Sequence, residues 1–179
     1  MAKQETSYEQ ILTDLRKKVY QPVYFLMGEE PYYIDYISDF IQNSVLSETE
    51  KEFDQAILYG KDVDINTVIN AAKRYPMMSP YQVLIVKEAQ LIKDWDNLVH
   101  YLSNPLKSTI LVFCYKYGTP DKRKKWYQEV TKVATVFESV KLRDYEIGAW
   151  ITKYCKSKNV AIDDKAVAML SDFLGTDLS

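Results

Sequence analysis

Short, almost wholly apolar runs recur along the chain and constrain its fold more than any other feature. Residues 23–27, 83–86 and 109–115 are the purest of these runs, and they are rich in β-branched or aromatic side chains. Such runs are typical of strands that are buried on both faces of a sheet. Residues 53–59 and 134–137 predict two further strands.

The segments between these runs carry apolar residues at helical spacing. A capping box of Ser7 and Gln10 predicts one helix start, and Pro31, Asp64 and Asp121 predict three others. Strands that alternate with helices indicate an α/β fold. We therefore expect a doubly wound, five-stranded parallel sheet covered on both faces.

The pattern changes after Val140, where helices replace strands. One apolar stripe runs through residues 147–154, Asp163 is a good N-cap for a second helix, and Gly175 is a typical helix stop. This part of the chain predicts a helical bundle.

The last residues of the sequence offer a possible N-cap for a third helix, but the helix itself is not in the sequence. Thr176 or Asp177 could cap such a helix, but only a few residues follow. We expect an α/β domain over residues 1–140 and the start of a small helical domain over residues 141–179. The chain is then a fragment of a longer protein.

Charge and composition predict a cytoplasmic protein. The formal net charge is −2, so no bulk positive field recruits nucleic acid. The first residues contain no apolar leader, and no run approaches the ~18 apolar residues of a membrane span. Cys114 and Cys155 have no CxxC spacing, and we expect reduced thiols rather than a disulfide.

The first strand leads into a helix where such sheets often bind phosphate, but the turn lacks the required residues. It reads Gly28-Glu29-Glu30-Pro31-Tyr32, with no second glycine and no Lys-Ser or Lys-Thr pair. The third strand ends in Lys87-Glu88 rather than in an Asp that would hold Mg²⁺. The sequence therefore predicts no nucleotide site.

No other catalytic set is present in the sequence. His100 is the only histidine, and no Gly-x-Ser-x-Gly motif or metal-ligand cluster occurs. The carboxylate pairs lie at predicted helix starts, where capping accounts for them. We expect no catalysis, no cofactor and no metal.

A basic run is one candidate binding site. Lys122, Arg123, Lys124 and Lys125 follow a strand end and adjoin two aromatic residues, which is a pattern that can bind phosphate or DNA. A solvated helix face whose aromatic residues point inward has the same pattern, and the sequence leaves both interpretations open.

Met77 and Met78 are the other candidate site. They follow Pro76 and precede Ser79 and Pro80, and they miss the apolar stripe of the Asp64 helix. Two exposed methionines on a short elbow would make an interface wedge, because methionine adapts its shape to a partner's pocket. Packing under a neighbouring loop is the alternative.

The order of these motifs resembles the delta subunit of the bacterial DNA polymerase III clamp loader. The resemblance covers the whole chain. It rests on residues 22–31 (Pro-Val-Tyr-Phe-Leu-Met-Gly-Glu-Glu-Pro), 53–54 (Phe-Asp), 76–79, 108–113 and 121–125. It implies an AAA+-type domain that has lost nucleotide binding, a helical lid domain and a C-terminal collar that this chain lacks.

The resemblance also implies a function for the methionine pair. In that family an apolar pair after the proline enters a pocket of the ring-shaped sliding clamp and helps to open the ring. By position the pair is Met77 and Met78 here. The family often has Phe or Leu at the pair and basic residues just after it, whereas this chain has Pro80, Tyr81 and Gln82.

We therefore expect a clamp-loader delta fragment with no activity of its own, although its holoenzyme is a DNA-directed DNA polymerase (a nucleotidyltransferase). Its implied partners are the sliding clamp (beta), the delta prime and gamma or tau subunits through the collar, and primed DNA within the assembled loader, with no membrane. A divergent P-loop-like NTPase and a nucleic-acid-binding module that uses Lys122 to Lys125 remain the alternatives.

Overall fold

The computed structural model describes residues 6–175 and residue 178. Within that part of the chain, one sheet contains β1 (Val23–Gly28), β2 (Gln55–Tyr59), β3 (Gln82–Lys87), β4 (Thr109–Lys116) and β5 (Thr135–Ser139). The strands lie in the order β2-β3-β4-β1-β5, and every neighbouring pair is parallel. The prediction of an α/β, five-stranded parallel sheet is confirmed.

Helices connect the strands, as parallel pairing requires. Their bounds are α1 (Tyr8–Arg16), α2 (Pro31–Ser44), α3 (Glu48–Asp54), α4 (Ile65–Ala72), α5 (Leu98–Leu102), α6 (Lys125–Val133), α7 (Asp144–Ser157) and α8 (Asp164–Leu174). Two short 3₁₀ turns, Ala89–Leu91 and Trp95–Asn97, precede α5. None of the helices in the described residues is long and apolar enough to cross a lipid bilayer.

The sheet separates two apolar cores, because successive side chains of a strand point to opposite faces. Phe25 and Phe113 lie in the core that α4, α5 and α6 cover. Leu26 and Ile85 lie in the core that α1 and α2 cover. Burial on both faces explains why the strands read as unbroken apolar runs.

The second strand begins later than the sequence predicted. Residues 53 and 54 were expected to open it, but they form the last turn of α3. A capping box starts this helix: the Ser47 N–H donates to Glu50 Oε2 at 2.8 Å, and the Glu50 N–H donates to Ser47 Oγ at 3.5 Å. The reciprocal bonds commit the segment to a helix, so β2 starts only at Gln55.

The chain divides into two compact units between Ser139 and Val140. In the second unit α7 and α8 pack against each other. Asp163 caps α8 by accepting a hydrogen bond from the Ala166 N–H at 2.7 Å. Gly175 ends α8 with a positive φ of 56°. The third cap predicted at residues 176 and 177 lies outside the described residues.

Candidate functional site

Side chains from two strands fix the end of α4, the helix that precedes the methionine pair. Gln82 Nε2 donates to the Ala71 carbonyl at 3.1 Å, and Thr109 Oγ1 donates to the Ala72 carbonyl at 2.9 Å. The Thr109 bond supplies a donor to the Ala72 carbonyl at the helix end, whereas the Ala71 carbonyl also accepts from the Arg74 N–H at 3.1 Å. The helix therefore ends at Ala72, earlier than the stop that Pro76 predicted.

The segment after α4, residues 73–81, is termed the methionine loop. Met77 is 77% exposed and Met78 is 59% exposed, so neither side chain packs in a core. Tyr75, at 74%, is also exposed beside them. By contrast Ala72 and Val83, in the flanking helix and strand, are fully buried. The loop thus projects an apolar tip from the sheet edge where the strands begin.

A single carboxylate anchors the backbone of the methionine loop. The N–H of Met77 donates to Asp54 Oδ1 at 2.5 Å. The N–H groups of Met78 and Ser79 donate to Asp54 Oδ2 at 2.8 and 2.9 Å. Asp54 is only 2% exposed, so these bonds are shielded from water. Three consecutive donors converging on one carboxylate form an anion-binding nest of the backbone.

The pKa of Asp54 reflects this anchor. Burial alone would raise the pKa of the carboxyl, because burial disfavours the charged form. The hydrogen bonds from Met77, Met78 and Ser79 favour the charged form, and the pKa lies below its ordinary value. Asp54 is therefore an ionised group in the neutral pH range.

Sequence reasoning missed Asp54 as a residue of this site. The hydrogen bonds join positions 23 to 25 residues apart, which no local pattern reveals. One signal was available in the sequence: Pro76 and Pro80 disfavour a regular helix or strand between them, so the three amides there have no acceptor within a backbone ladder.

The end of the methionine loop is held separately. Ser79 Oγ donates to the Tyr81 carbonyl at 2.5 Å and accepts from the Tyr81 N–H at 3.3 Å. The Tyr81 ring then meets the Tyr20 ring edge-on at 5.3 Å between centroids. Both ends of the loop are thus fixed, and its exposed side chains project from a defined backbone.

The basic run lies mostly before α6, which corrects the prediction that Asp121 caps this helix. The helix begins at Lys125, with Lys124 as its N-cap. Asp121 accepts from the Arg123 N–H at 3.0 Å and pairs with the Arg123 guanidinium, so it closes a turn instead. Lys122 pairs with Glu138 at 2.5 Å. All four cations are exposed, but two of them are bound to carboxylates, which reduces the local positive field.

The turn after β1 occupies the position of a phosphate loop. Gly28 has a φ of 132°, and a Cβ there would lie 2.0 Å from the Ser139 carbonyl oxygen. The buried Glu30 side chain caps α2 by accepting from the Tyr32 N–H at 3.0 Å. The helix end that binds phosphate in other proteins carries a carboxylate of this chain.

The remaining chemistry-bearing residues stand apart from one another. His100 is exposed in the middle of α5. Cys114 and Cys155 are free, and burial raises the pKa of the Cys114 thiol to about 12. Within residues 6–175, no three His, Cys, Asp or Glu side chains are grouped so that they could hold a metal ion.

Comparison with known proteins points to one family. The sequence model of the family described as DNA polymerase III, delta subunit, matches residues 24–140. The chain is 24% identical over 166 residues to DNA polymerase III subunit delta of Bacillus subtilis (strain 168). The match covers 87% of this chain and 48% of that protein, so the chain spans about half the length of this curated relative.

Solved structures share the fold. The Bacillus subtilis DNA clamp loader delta protein matches with a TM-score of 0.74 at 20% identity, over 94% of this chain and 58% of that one. A RuvB protein of Thermotoga maritima matches with a TM-score of 0.50 at 12% identity, over 90% of this chain and 52% of that one. At these identities the likeness shows the fold alone.

Proposed function

The chain belongs to the DNA polymerase III delta subunit family, and from this premise we propose that it binds the replicative sliding clamp through Met77 and Met78. The observation that carries the proposal is the exposure of both side chains on a loop whose backbone is fixed. Exposed apolar side chains that a scaffold holds in place are typical anchors of protein interfaces.

The chemistry of the pair suits insertion into an apolar pocket. Methionine is unbranched and polarisable, so it fits pockets of irregular shape. Burying one such side chain contributes about 1.5–3 kcal/mol by area. Tyr75, exposed on the same loop, extends the apolar surface.

The proposed action is mechanical. A wedge that fits an open ring interface better than a closed one shifts the ring towards opening, by the difference between its two binding free energies. No bond of the clamp is made or broken. The chain helps to open the ring so that it can be loaded onto primed DNA during replication in the cytoplasm.

We assign no ATP binding or catalysis to this chain. The turn at Gly28 has no lysine, Gly28 touches Ser139, and the Glu30 carboxylate occupies the start of α2. A triphosphate placed there would meet the Glu30 carboxylate rather than free N–H groups. ATP hydrolysis then belongs to partner subunits of the loader. We propose that contacts with the delta prime and gamma or tau subunits are made by the collar of the whole protein, because the chain matches only 48% of its Bacillus subtilis relative.

Binding to the immobilised cognate clamp tests the proposal. Met77→Asp with Met78→Asp should weaken the affinity at least ~100-fold, because two apolar burials are lost and each 1.4 kcal/mol is about tenfold. Met169→Asp is the matched control, since Met169 is 64% exposed on α8 in the other unit. Equal affinity of the double variant and the unsubstituted chain would sink the proposal.

A further inference from the structure

The methionine loop has an unusual backbone arrangement. Pro76 and Pro80 have no N–H, so only Met77, Met78 and Ser79 have a backbone donor among the five residues from Pro76 to Pro80. All three donate to the Asp54 carboxylate. The carboxylate therefore accepts every backbone N–H of the five residues from one proline to the other.

This arrangement fixes the backbone that carries the two methionine side chains. Met77 and Met78 are exposed, and they are also two of the three residues whose amides Asp54 holds. With their amides bonded to the buried carboxylate, the two side chains remain exposed to solvent. A loop already in its binding conformation loses less entropy when it docks.

We propose that Asp54 is the positioning residue of the methionine pair: its carboxylate holds the loop in the conformation that binds the partner. The inference rests on the proposed clamp binding. Asp54 itself is buried, so it acts only through the loop. A carboxylate suits this role, because its two oxygens can accept three donors at once, whereas the amide of asparagine has a single acceptor oxygen.

The location of Asp54 supports this role. It is the last residue of α3, and Gln55 starts β2, which pairs with β3 directly after the loop. The carboxylate is thus mounted between a helix that a capping box starts and a strand that is paired with β3. A rigid support is what a positioning group needs.

The variant Asp54→Asn tests the proposal, with Asp64→Asn as its matched control. Both changes remove one negative charge from the same unit. Asp64 caps α4 through the Thr67 N–H at 2.7 Å, and asparagine is an equally good N-cap. At position 54 asparagine instead turns an NH₂ group towards N–H donors.

Two measurements are needed. Hydrogen exchange of the Met77, Met78 and Ser79 amides should accelerate at least ~10-fold in Asp54→Asn, because opening of the loop no longer breaks charge-assisted bonds. Clamp affinity should weaken ~10-fold or more, because the loop must then be ordered on binding. Asp64→Asn should change neither, and a urea titration shows that both variants remain folded. Asp54→Glu keeps the charge and should retain part of the affinity.

Each outcome decides a different claim. Unchanged amide exchange in Asp54→Asn overturns the proposal. Faster exchange with unchanged clamp affinity also overturns the proposal for Asp54. Clamp binding through the methionines still stands in that case if Met77→Asp with Met78→Asp weakens the clamp affinity. If that double variant binds normally, the clamp function itself fails. If Asp54→Asn does not fold, Asp54→Glu is compared with the unsubstituted chain, and altered exchange with equal affinity overturns the proposal.

Discussion

Gly28 shows how one residue sets the turn where related folds bind phosphate. Its φ of 132° favours glycine, and a side chain there would place its Cβ only 2.0 Å from the Ser139 oxygen. Gly118, its partner in an antiparallel bridge, has a φ of 153° but open space around its Cβ position. A substitution at Gly118 therefore tests backbone strain alone, whereas a substitution at Gly28 tests backbone strain together with a steric clash.

Gly28→Ala should destabilise the fold more than Gly118→Ala. The backbone strain of either change costs about 1–3 kcal/mol. Gly28→Ala adds a clash with the backbone of Ser139, worth about 1–3 kcal/mol more. Urea unfolding of both variants measures the difference. Equal loss of stability would show that the close approach at Gly28 is relieved without cost.

Side chains of β3 and β4 hydrogen-bond to the end of α4. The buried Thr109 on β4 donates to the carbonyl of Ala72, and Val is its near-isostere without the hydroxyl. Thr109→Val should cost about 1–3 kcal/mol in unfolding free energy, because a shielded carbonyl loses its donor. Thr135→Val is the control, because Thr135 is a buried threonine on β5, which β1 separates from β4. If both variants unfold alike, the hydrogen bond does not fix the helix end.

The sequence predicted those elements that depend on local patterns. Unbroken apolar runs predicted the strands, because a strand that is buried on both faces shows no alternation of polar and apolar side chains. Met77 and Met78 fall outside the apolar stripe of the preceding helix, which predicted that they avoid the core, and both are exposed. The start of β2 and the anchoring of the loop by Asp54 were not predictable in this way. A capping box at Ser47 outweighed the strand-like Phe53, and the loop's partner lies more than 20 residues away.

At the level of the whole α/β unit, several carboxylates are more acidic in the folded chain than in a free peptide. A hydrogen bond from the Thr67 N–H lowers the pKa of Asp64. Hydrogen bonds from Arg123 lower the pKa of Asp121 to about 2. For Asp54, burial raises the pKa, but the three loop amides outweigh it and the net pKa is lowered.

These shifts fix the direction of the acid response. A carboxyl group with a folded pKa below its unfolded value of about 4 stabilises the fold fully above that value, and the contribution is lost as the pH falls through the folded pKa. The urea midpoint of the chain should therefore stay level between about pH 7 and 5 and fall below about pH 4. Asp54→Asn removes one of these groups, so its midpoint should be lower at pH 7 and should fall less on acidification. If Asp54→Asn loses as much stability on acidification as the unsubstituted chain, Asp54 does not contribute to the acid dependence of the stability.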